Sequence, residues 1–358
     1  MTTLTRFPRP LSTSNLVAPD RDTLMRYARA AYEGAPIVAW LEQALAAFHG
    51  AAHAVTLCNG FWGLVLAIRA LAVPGRTDVL MPSLTYRRMA DVAAWARLRP
   101  RFCEVDSATL APSATTMRAA LTDEVGLLLA VHPIVGLCDV AGLVALAEET
   151  GLPLLFDSVE SVFEHAPGGK IGGFGAAECF SLHASKLLNG CEGGYITTND
   201  PVLADRLVGL RDGSDPEGLD VRLNRLHAAM ALAALDGLDE QIARNRACYE
   251  AYRRGLPPGL CLLAFRAGSS FKTIVVEIMP NWPRTRAQTL EALNGANVLA
   301  RAYYHPPLHQ KPMAYPYVPA HLPITDDLAE RYMLLPCGDH VGLDDVAAIL
   351  ALLHEVAR

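Results

Sequence analysis

Residues 180–194 read FSLHASKLLNGCEGG, and residues 152–157 read LPLLFD. Both stretches begin as short apolar runs, which are typical of strands in a sheet that is covered on both faces. Lys186 in the first stretch is one of only four lysines, and arginine supplies most of the positive charge. Its neighbours Leu187 and Leu188 predict a partly desolvated amine, which disfavours the ammonium form and leaves a nucleophile.

Seven runs of this kind predict the strands of one sheet: 54–58, 78–82, 100–105, 126–133, 153–157, 178–182 and 194–198. Helical patterns lie between the first five runs, at 63–71, 89–98, 115–122 and 140–149. This alternation predicts an α/β fold with a mostly parallel, doubly wound sheet sandwiched by helices. Ligands of such sheets bind at the carboxyl ends of the strands.

The 358 residues exceed the length at which one hydrophobic core stops growing, so we expect two domains. The large domain is predicted at residues 1–240, with an irregular segment over its first twenty residues. Residues 241–358 are predicted as a smaller α+β domain. A long helix at 224–254 leads into a strand at 273–278, a helix at 284–295, a proline-rich loop at 305–323 and two further helices.

The composition argues against several classes of partner. The net charge is −6 at pH 7, which disfavours binding to nucleic acid or to an anionic membrane. No stretch has the pattern of a signal peptide or a membrane span, so we expect a cytoplasmic protein. The eight cysteines are scattered without a CxxC pair or a Cys/His cluster at zinc spacing, so we predict no metal site.

Polar groups follow several predicted strands and should meet in one crevice. Asn59 and Gly60 come after the first strand, Tyr86 after the second, and Asp157 and Lys186 after two later ones. The turn at Asn59 and Gly60 opens a helix, whose free N–H groups form a cradle for phosphate. A Schiff-base lysine and a carboxylate that pairs with a ring nitrogen are the two protein groups that pyridoxal 5'-phosphate (PLP) requires. The sequence therefore predicts a PLP site.

Three further features have competing interpretations. Ser181 is either a turn residue or a donor to the same phosphate. Residues 168–175, GGKIGGFG, match neither the dinucleotide nor the P-loop fingerprint and are predicted as a turn with a solvent-exposed Lys170. The arginines at 87, 88, 97, 99 and 101 are predicted as a solvated helix face, with contact to a substrate pyrophosphate as the alternative.

Several blocks of the sequence resemble the DegT–DnrJ–StrS family of PLP-dependent sugar aminotransferases, which have the aspartate-aminotransferase fold (PLP fold type I). The FSLHASK…EGG block with its upstream aspartate is highly specific. The blocks run in family order from about residue 40 to the C-terminus: NGFWGL, MPSLTYRRMADVAAW, AVHPIVGLCD, LPLLFDSVES, KIGGFGAAECFSLHASKLLNGCEGGYITTND, RLNRLHAAMALAALDGLDEQIARN and NVLARAYYHPPLH.

The resemblance implies a role for each matching residue. Lys186 becomes the Schiff-base lysine and proton shuttle, and Asp157 becomes the partner of the pyridinium nitrogen. The family works as a homodimer with shared active sites, and Arg222 matches a segment that the neighbouring subunit contributes. The implied cofactor-binding set is Asn59, Gly60, Phe61, Tyr86 as the ring-stacking aromatic, Asp157, Glu160, Ser181, His183, Lys186 and Arg222.

Three positions depart from the family pattern. Phe61 stands in the phosphate turn where the family usually has threonine, so that a hydroxyl is missing. Glu160 stands where the family usually has Gln or His near the cofactor's phenolic oxygen, and a carboxylate there would repel that oxygen unless it is protonated or bonded. Asp220 replaces an asparagine that normally donates to phosphate.

We therefore expect a PLP-dependent aminotransferase that moves an amino group from an amino acid, with L-glutamate the expected donor, to a nucleotide-linked keto-deoxy sugar. A cyclitol or another ketone is the alternative substrate. Dehydratases of the same fold carry histidine at the position of Lys186, so its presence counts against that activity. Because Phe61, Glu160 and Asp220 depart from the family pattern, a non-catalytic or regulatory protein of this fold is a further alternative.

Overall fold

The computed structural model of the protein describes residues 7–12, 18–265 and 268–358. The strands of its central sheet are β1 (His53–Leu57), β2 (Asp78–Pro82), β3 (Arg99–Cys103), β4 (Val125–Val131), β5 (Leu154–Asp157), β6 (Ala177–Ser181) and β7 (Gly194–Thr198). Their spatial order is β1-β7-β6-β5-β4-β2-β3, in which β7 is antiparallel to both neighbours and the remaining pairs are parallel. The predicted mostly parallel α/β sheet is confirmed.

Helices cover both faces of this sheet. They are α1 (Arg21–Tyr32), α2 (Ile37–His49), α3 (Gly60–Leu71), α4 (Met89–Trp95), α5 (Ala114–Ala119), α6 (Val140–Thr150), α7 (Pro201–Asp212), α8 (Arg225–Asp236) and α9 (Leu238–Gly255). Leu128 of β4 belongs to the same core as α2, α6 and α8, and the adjacent Leu129 belongs to the core formed with α3, α4 and α7. Because both faces are covered, all the residues of β2 and β4 are buried, which accounts for the apolar residues that follow Asp78 in β2 and fill β4.

The predicted helix at 224–254 consists of two helices. Helix α8 ends at Asp236 and α9 begins at Leu238, with Gly237 between them. Glycine disfavours a helix interior because it loses the most backbone freedom there. The prediction of one continuous helix is therefore wrong at this glycine.

A smaller antiparallel sheet lies in the C-terminal part of the chain. The elements of this part are β8 (Leu260–Leu262), β9 (Ile274–Ile278), α10 (Arg286–Gly295), β10 (Arg301–Ala302), α11 (Pro323–Ala329), β11 (Tyr332–Leu335) and α12 (Leu343–Val356). The strand order of the sheet is β8-β9-β11-β10, and the C-terminal helices follow or separate these strands. This is the α+β arrangement expected after residue 240, although the division of the chain at that residue stays a prediction.

The N-terminal segment is only partly described. Residues 1–6 and 13–17 of the segment predicted as irregular lie outside the described residues. Within it, Leu11–Ser12 form a short strand that pairs in parallel with Val298–Leu299. The segment therefore contacts the C-terminal part of the chain.

Polar contacts hold the C-terminal part of the chain against the end of the large sheet. The Oγ atom of Ser83, just after β2, lies 2.7 Å from Nδ1 of His309. The backbone N–H of Leu308 donates to the carbonyl of Ser83 at 3.0 Å. These contacts bring residues of the smaller sheet over the carboxyl ends of the parallel strands. In the described ranges, no helix is both long and apolar enough to span a membrane.

Two predictions about charged residues are wrong. Lys170 is half-buried rather than exposed, and its ammonium lies 3.1 Å from the ring centre of Phe48. Arg99 and Arg101 lie on β3 rather than on a helix. They donate to the buried carboxylate of Asp78 at 2.7 and 2.9 Å, so these two arginines neutralise a charge inside the fold.

Candidate active site

A cavity of about 480 Å³ opens at the carboxyl ends of the parallel strands. Nine of the ten residues predicted to bind the cofactor line it: Asn59, Gly60, Phe61, Tyr86, Asp157, Glu160, Ser181, His183 and Lys186. The tenth, Arg222, does not line it, and its guanidinium pairs with the exposed carboxylate of Asp220 at 2.9 Å. The cavity therefore brings together groups from β1, β2, β5 and β6, while their individual roles stay predictions.

The turn after β1 forms a cradle of backbone N–H groups. The side-chain oxygen of Asn59 accepts the N–H of Trp62 at 3.0 Å and caps α3. The N–H groups of Gly60 and Phe61 have no acceptor within the helix because they belong to its first turn. A Cβ atom on Gly60 would lie 3.2 Å from the carbonyl oxygen of Phe180, so the close approach to β6 favours glycine. The positive end of the helix dipole adds to the attraction for an anion.

Ser181 and His183 form the wall beside this cradle. The hydroxyl of Ser181 accepts the N–H of His183 at 3.2 Å, which leaves its own proton available to a ligand. Nδ1 of the exposed His183 lies 2.8 Å from the hydroxyl of Ser185. At the mouth, the guanidinium of Arg88 lies 4.4 Å from the ring centre of Phe61. Arg88 is thus the one residue of the predicted arginine face that lines the cavity.

Asp157 is the last residue of β5 and lies on the floor of the cavity. Its side chain is buried, and Oδ1 accepts the N–H of Val159 at 3.1 Å. Burial raises the pKa of Asp157 to about 6, although the bond from Val159 and the nearby Lys186 both oppose this rise. The carboxyl group is therefore ionised at neutral pH, and a buried cation would stabilise it.

His132, which follows β4, lines the same cavity and was not predicted. Its ring stacks on Phe156 with 5.3 Å between ring centres, and Nδ1 accepts the N–H of Cys138 at 3.3 Å. Burial lowers the pKa of His132 to about 3, so the ring is neutral and carries its proton on Nε2. Nε2 has no hydrogen-bond partner among the described residues, which leaves a buried donor for a ligand. The sequence signal was a polar residue directly after an apolar strand.

Glu160 lies between two lysines at the centre of the cavity wall. Its Oε1 accepts from the ammonium of Lys186, and its Oε2 accepts from the ammonium of Lys272 at 2.9 Å. The three side chains are 14%, 22% and 11% exposed, respectively. Burial acts to raise the pKa of Glu160, but the two lysines outweigh it and hold the pKa below its usual value. Glu160 is therefore a bonded carboxylate.

The surroundings of Lys186 differ from the predicted ones. Leu187 and Leu188 are buried, yet the amine itself reaches the Glu160 carboxylate instead of an apolar wall. Lys272 was missed although it is another of the four lysines. Burial lowers the pKa of Lys272, and Glu160 opposes this change. The same argument from rarity that singled out Lys186 would have found it.

Two tyrosines complete the cavity. Tyr86, predicted as the stacking aromatic, is 45% exposed. Tyr304 was not predicted, and burial raises its pKa well above the usual value, so that its hydroxyl stays protonated. Within the part of the chain that the structure describes, no group of three or more His, Cys, Asp or Glu side chains could hold a metal ion.

The chain is similar to known proteins over most of its length. Residues 27–354 match the DegT/DnrJ/EryC1/StrS aminotransferase family. Protein Rv3402c of Mycobacterium tuberculosis is 32% identical, with 85% of this chain and 78% of that protein covered. The UDP-N-acetyl-3-dehydro-alpha-D-glucosamine 3-aminotransferase of Acidithiobacillus ferrooxidans is 29% identical, with 88% and 87% covered.

Solved structures extend the comparison to the fold. The structure of DesI in the presence of its TDP-sugar product is 32% identical and superposes with a TM-score of 0.89, covering 99% of this chain and 94% of that one. The match confirms PLP fold type I, which the sequence blocks predicted. The chain therefore belongs to the DegT/DnrJ/EryC1/StrS aminotransferase family, and the predicted enzyme class is confirmed.

Proposed function

We propose that the protein is a PLP-dependent aminotransferase that moves the amino group of an amino acid, with L-glutamate the expected donor, to a nucleotide-linked keto-deoxy sugar. The names of two relatives support the substrate class, since one is an aminotransferase for a UDP-linked sugar and DesI was solved with a TDP-sugar product. The observation that carries the proposal is the meeting of Lys186, Asp157 and the α3 cradle in one cavity.

The residues of the cavity fit PLP. The N–H groups of Gly60 and Phe61, together with Ser181, would hold its phosphate, and a Cβ at Gly60 would contact β6 tightly, at 3.2 Å from the Phe180 carbonyl oxygen. Asp157 would pair with the ring nitrogen, and Lys186 would hold the aldehyde carbon. When bound, PLP supplies an electron sink for the carbanion formed at the substrate carbon.

The chain's own groups would prepare and protect this chemistry. Asp157, ionised above a pKa of about 6, would keep a proton on the ring nitrogen of the bound cofactor. Lys186, when its amine is free, moves a proton to and from the reacting carbon. The Nε2–H of His132 and the hydroxyl of Thr85 are further polar groups that line the cavity and lack partners among the described residues. They would donate to oxygen atoms of the cofactor or the substrate.

A homodimer with shared active sites is part of the proposal. The exposed pair of Asp220 and Arg222 lies outside this chain's cavity, which supports a contribution of Arg222 to the site of a neighbouring subunit. A cytoplasmic location stays a prediction from the sequence.

A cyclitol or another free ketone is the alternative acceptor. A comparison of the kcat/KM values for UDP-, GDP- and TDP-linked 4-keto sugars with those for free ketones would distinguish the two substrate classes.

The first test is direct. The purified protein mixed with PLP should turn yellow, and L-glutamate should bleach the colour. Borohydride reduction followed by peptide mass spectrometry should find the cofactor on Lys186, and a Lys170→Ala variant should behave like the wild type. A protein that stays colourless, or a cofactor attached to another lysine, would contradict the proposal.

A further inference from the structure

Lys186 and Glu160 form an ion pair that works against the proposed role of the lysine. An ion pair stabilises the ammonium form, whereas only the neutral amine attacks an aldehyde. We propose that Lys272 is a positioning residue that shares the Glu160 carboxylate and thereby releases the Lys186 amine for its bond to the cofactor. This inference rests on the proposed function, because it assigns Lys272 a part in forming that bond.

The geometry divides the carboxylate between the two lysines. Each oxygen of Glu160 accepts from one ammonium, and the three side chains are largely buried together. With Asp157, the group holds two carboxylates and two ammonium ions, so its formal charge is zero. Without Lys272, Lys186 would be the one ammonium of the group beside two carboxylates, bonded to Glu160 and attracted by the charge of Asp157. A neighbouring cation is a known means of freeing a lysine amine in a desolvated site.

Three further titratable groups lie near these charges, and burial favours their neutral forms. Burial raises the pKa of Tyr304 well above its usual value and lowers that of His132 to about 3, so neither ring is charged at neutral pH. The thiol of Cys337, next to Lys272, has a pKa raised by its hydrogen bond with Cys248 and by burial. Lys186 and Lys272 are the two cations whose ion pairs with Glu160 the described residues show.

The fold fixes Lys272 in place. It follows a buried segment in which Ser269 donates its hydroxyl proton and Ser270 its backbone N–H, at 3.4 Å, to the carboxylate of Glu164. Asn245 of α9 donates to the carbonyl of Ser270 at 3.2 Å. The segment is therefore bonded both to the loop after β5, through Glu164, and to α9, through Asn245. Buried supports of this kind hold a functional side chain in one orientation.

The pair also accounts for the departure at residue 160. Gln or His, which the family usually carries there, is a neutral donor and needs no counter-charge. Glu160 does need one, and Lys272 provides it across 112 residues of sequence. The two opposite charges together replace one neutral side chain.

The test uses the cofactor-free full chain and needs no turnover. Brief treatment with formaldehyde and cyanoborohydride at neutral pH methylates only neutral amines, and peptide mass spectrometry reports the rate at Lys186. Lys272→Met should slow methylation of Lys186 about tenfold, because Glu160 then pairs with the Lys186 ammonium alone and favours its charged form. Lys272→Arg should restore the rate to within about twofold. Lys170→Met, which removes a lysine outside the cavity, should leave it unchanged.

A double variant shows whether Lys272 acts through Glu160. Glu160→Gln combined with Lys272→Met removes both charges, so methylation of Lys186 should return to about the wild-type rate. The double variant also folds without an unpaired buried charge, which keeps the test valid if Lys272→Met alone is too unstable to purify. Equal rates in the wild type and Lys272→Met, or slow methylation that persists in the double variant, would overturn the inference.

The methylation experiment and the test of the proposed function can fail separately. The methylation assay contains neither PLP nor substrate, whereas the proposed function fails when the wild type does not turn yellow with PLP. A wild type that stays colourless while Lys272→Met still slows methylation would reject the proposed function alone.

Discussion

Glu160 and Glu178 are two buried carboxylates whose pKa values move in opposite directions. Glu160, in the cavity, meets the ammonium groups of Lys186 and Lys272, and its pKa is held below the usual value. Glu178, on β6, meets only neutral donors: the hydroxyl of Ser158 at 2.5 Å and the N–H groups of Gly172 and Phe174 at 2.7 and 2.8 Å. Burial raises its pKa to about 7 despite these bonds.

The difference shows how the partners of a buried acid decide its use. Neutral donors satisfy the oxygen atoms of Glu178 but do not compensate the cost of removing its charge from water. Glu178 therefore anchors the glycine-rich loop at 168–175, which the sequence predicts as a turn. Ammonium groups keep Glu160 charged, so it can influence the proton on Lys186. We expect substitutions in the cavity to change activity and substitutions at Glu178 to change only stability.

Lys186→Ala should have the largest effect. The variant loses the amine that would hold PLP and move protons, so turnover should fall by at least about 10³-fold. Borohydride should no longer trap the cofactor on the protein. Transamination of L-glutamate, followed by release of 2-oxoglutarate, measures the loss. Lys170→Ala serves as the control. A Lys186→Ala variant that keeps a tenth of the wild-type rate would contradict the role proposed for Lys186.

Asp157→Asn separates activity from stability within the cavity. An amide cannot hold a proton on the ring nitrogen, so kcat should fall by about 10²-fold or more. Burial raises the pKa of Asp157 to about 6, which means that its charge destabilises the cofactor-free fold at higher pH. The variant should therefore unfold at the same or a slightly higher temperature at pH 8. Parallel loss of kcat and of unfolding temperature would instead indicate a structural role.

The fold was predictable because its signals are local. Each of the seven sheet strands begins within one residue of the predicted position, since most of the strand residues are buried and apolar. The break at Gly237 shows the limit, because a helical pattern continues across it while the chain turns. The polar groups at strand ends followed from the topology, which brings carboxyl ends to one edge.

The charge network could not be predicted in the same way. Glu160 and Lys272 are 112 residues apart, and their contact depends on how the C-terminal part packs over the large sheet. From sequence alone, Glu160 was a carboxylate that would repel the cofactor unless bonded. Its lysine partners settle that question. The role of Glu178 was hidden as well, because two of its three partners are backbone N–H groups that leave no mark in the sequence.

Gly60→Ala tests the cradle of backbone N–H groups in the turn after β1. The added Cβ would lie 3.2 Å from the Phe180 carbonyl oxygen and 3.3 Å from Cβ of Ser181, so the turn must shift by a few tenths of an ångström. A displaced cradle should weaken PLP binding about tenfold while kcat at saturating PLP changes less. Titration of the yellow colour gives the dissociation constant. Gly295→Ala, at a glycine with nothing within 4 Å, is the matched control, and equal affinities in the two variants would contradict a phosphate site at this turn.

Glu178→Gln should have the smallest effect and should leave turnover unchanged. The folded-state pKa of about 7 lies above the ordinary value of 4.5, so the contribution of Glu178 to stability is complete below pH 4.5 and is lost as the pH rises through 7. Glutamine resembles the protonated acid: its oxygen can accept from Gly172 and Phe174, and its amide can donate to Ser158. At pH 8 the variant should therefore be more stable than the wild type by on the order of 2 kcal/mol, with no difference at pH 4.5. Urea unfolding at several pH values measures this, with the exposed Glu355→Gln as control. A variant that is less stable than the wild type at pH 8 would mean that the neutral donors do favour the charged form, which would remove the contrast with Glu160.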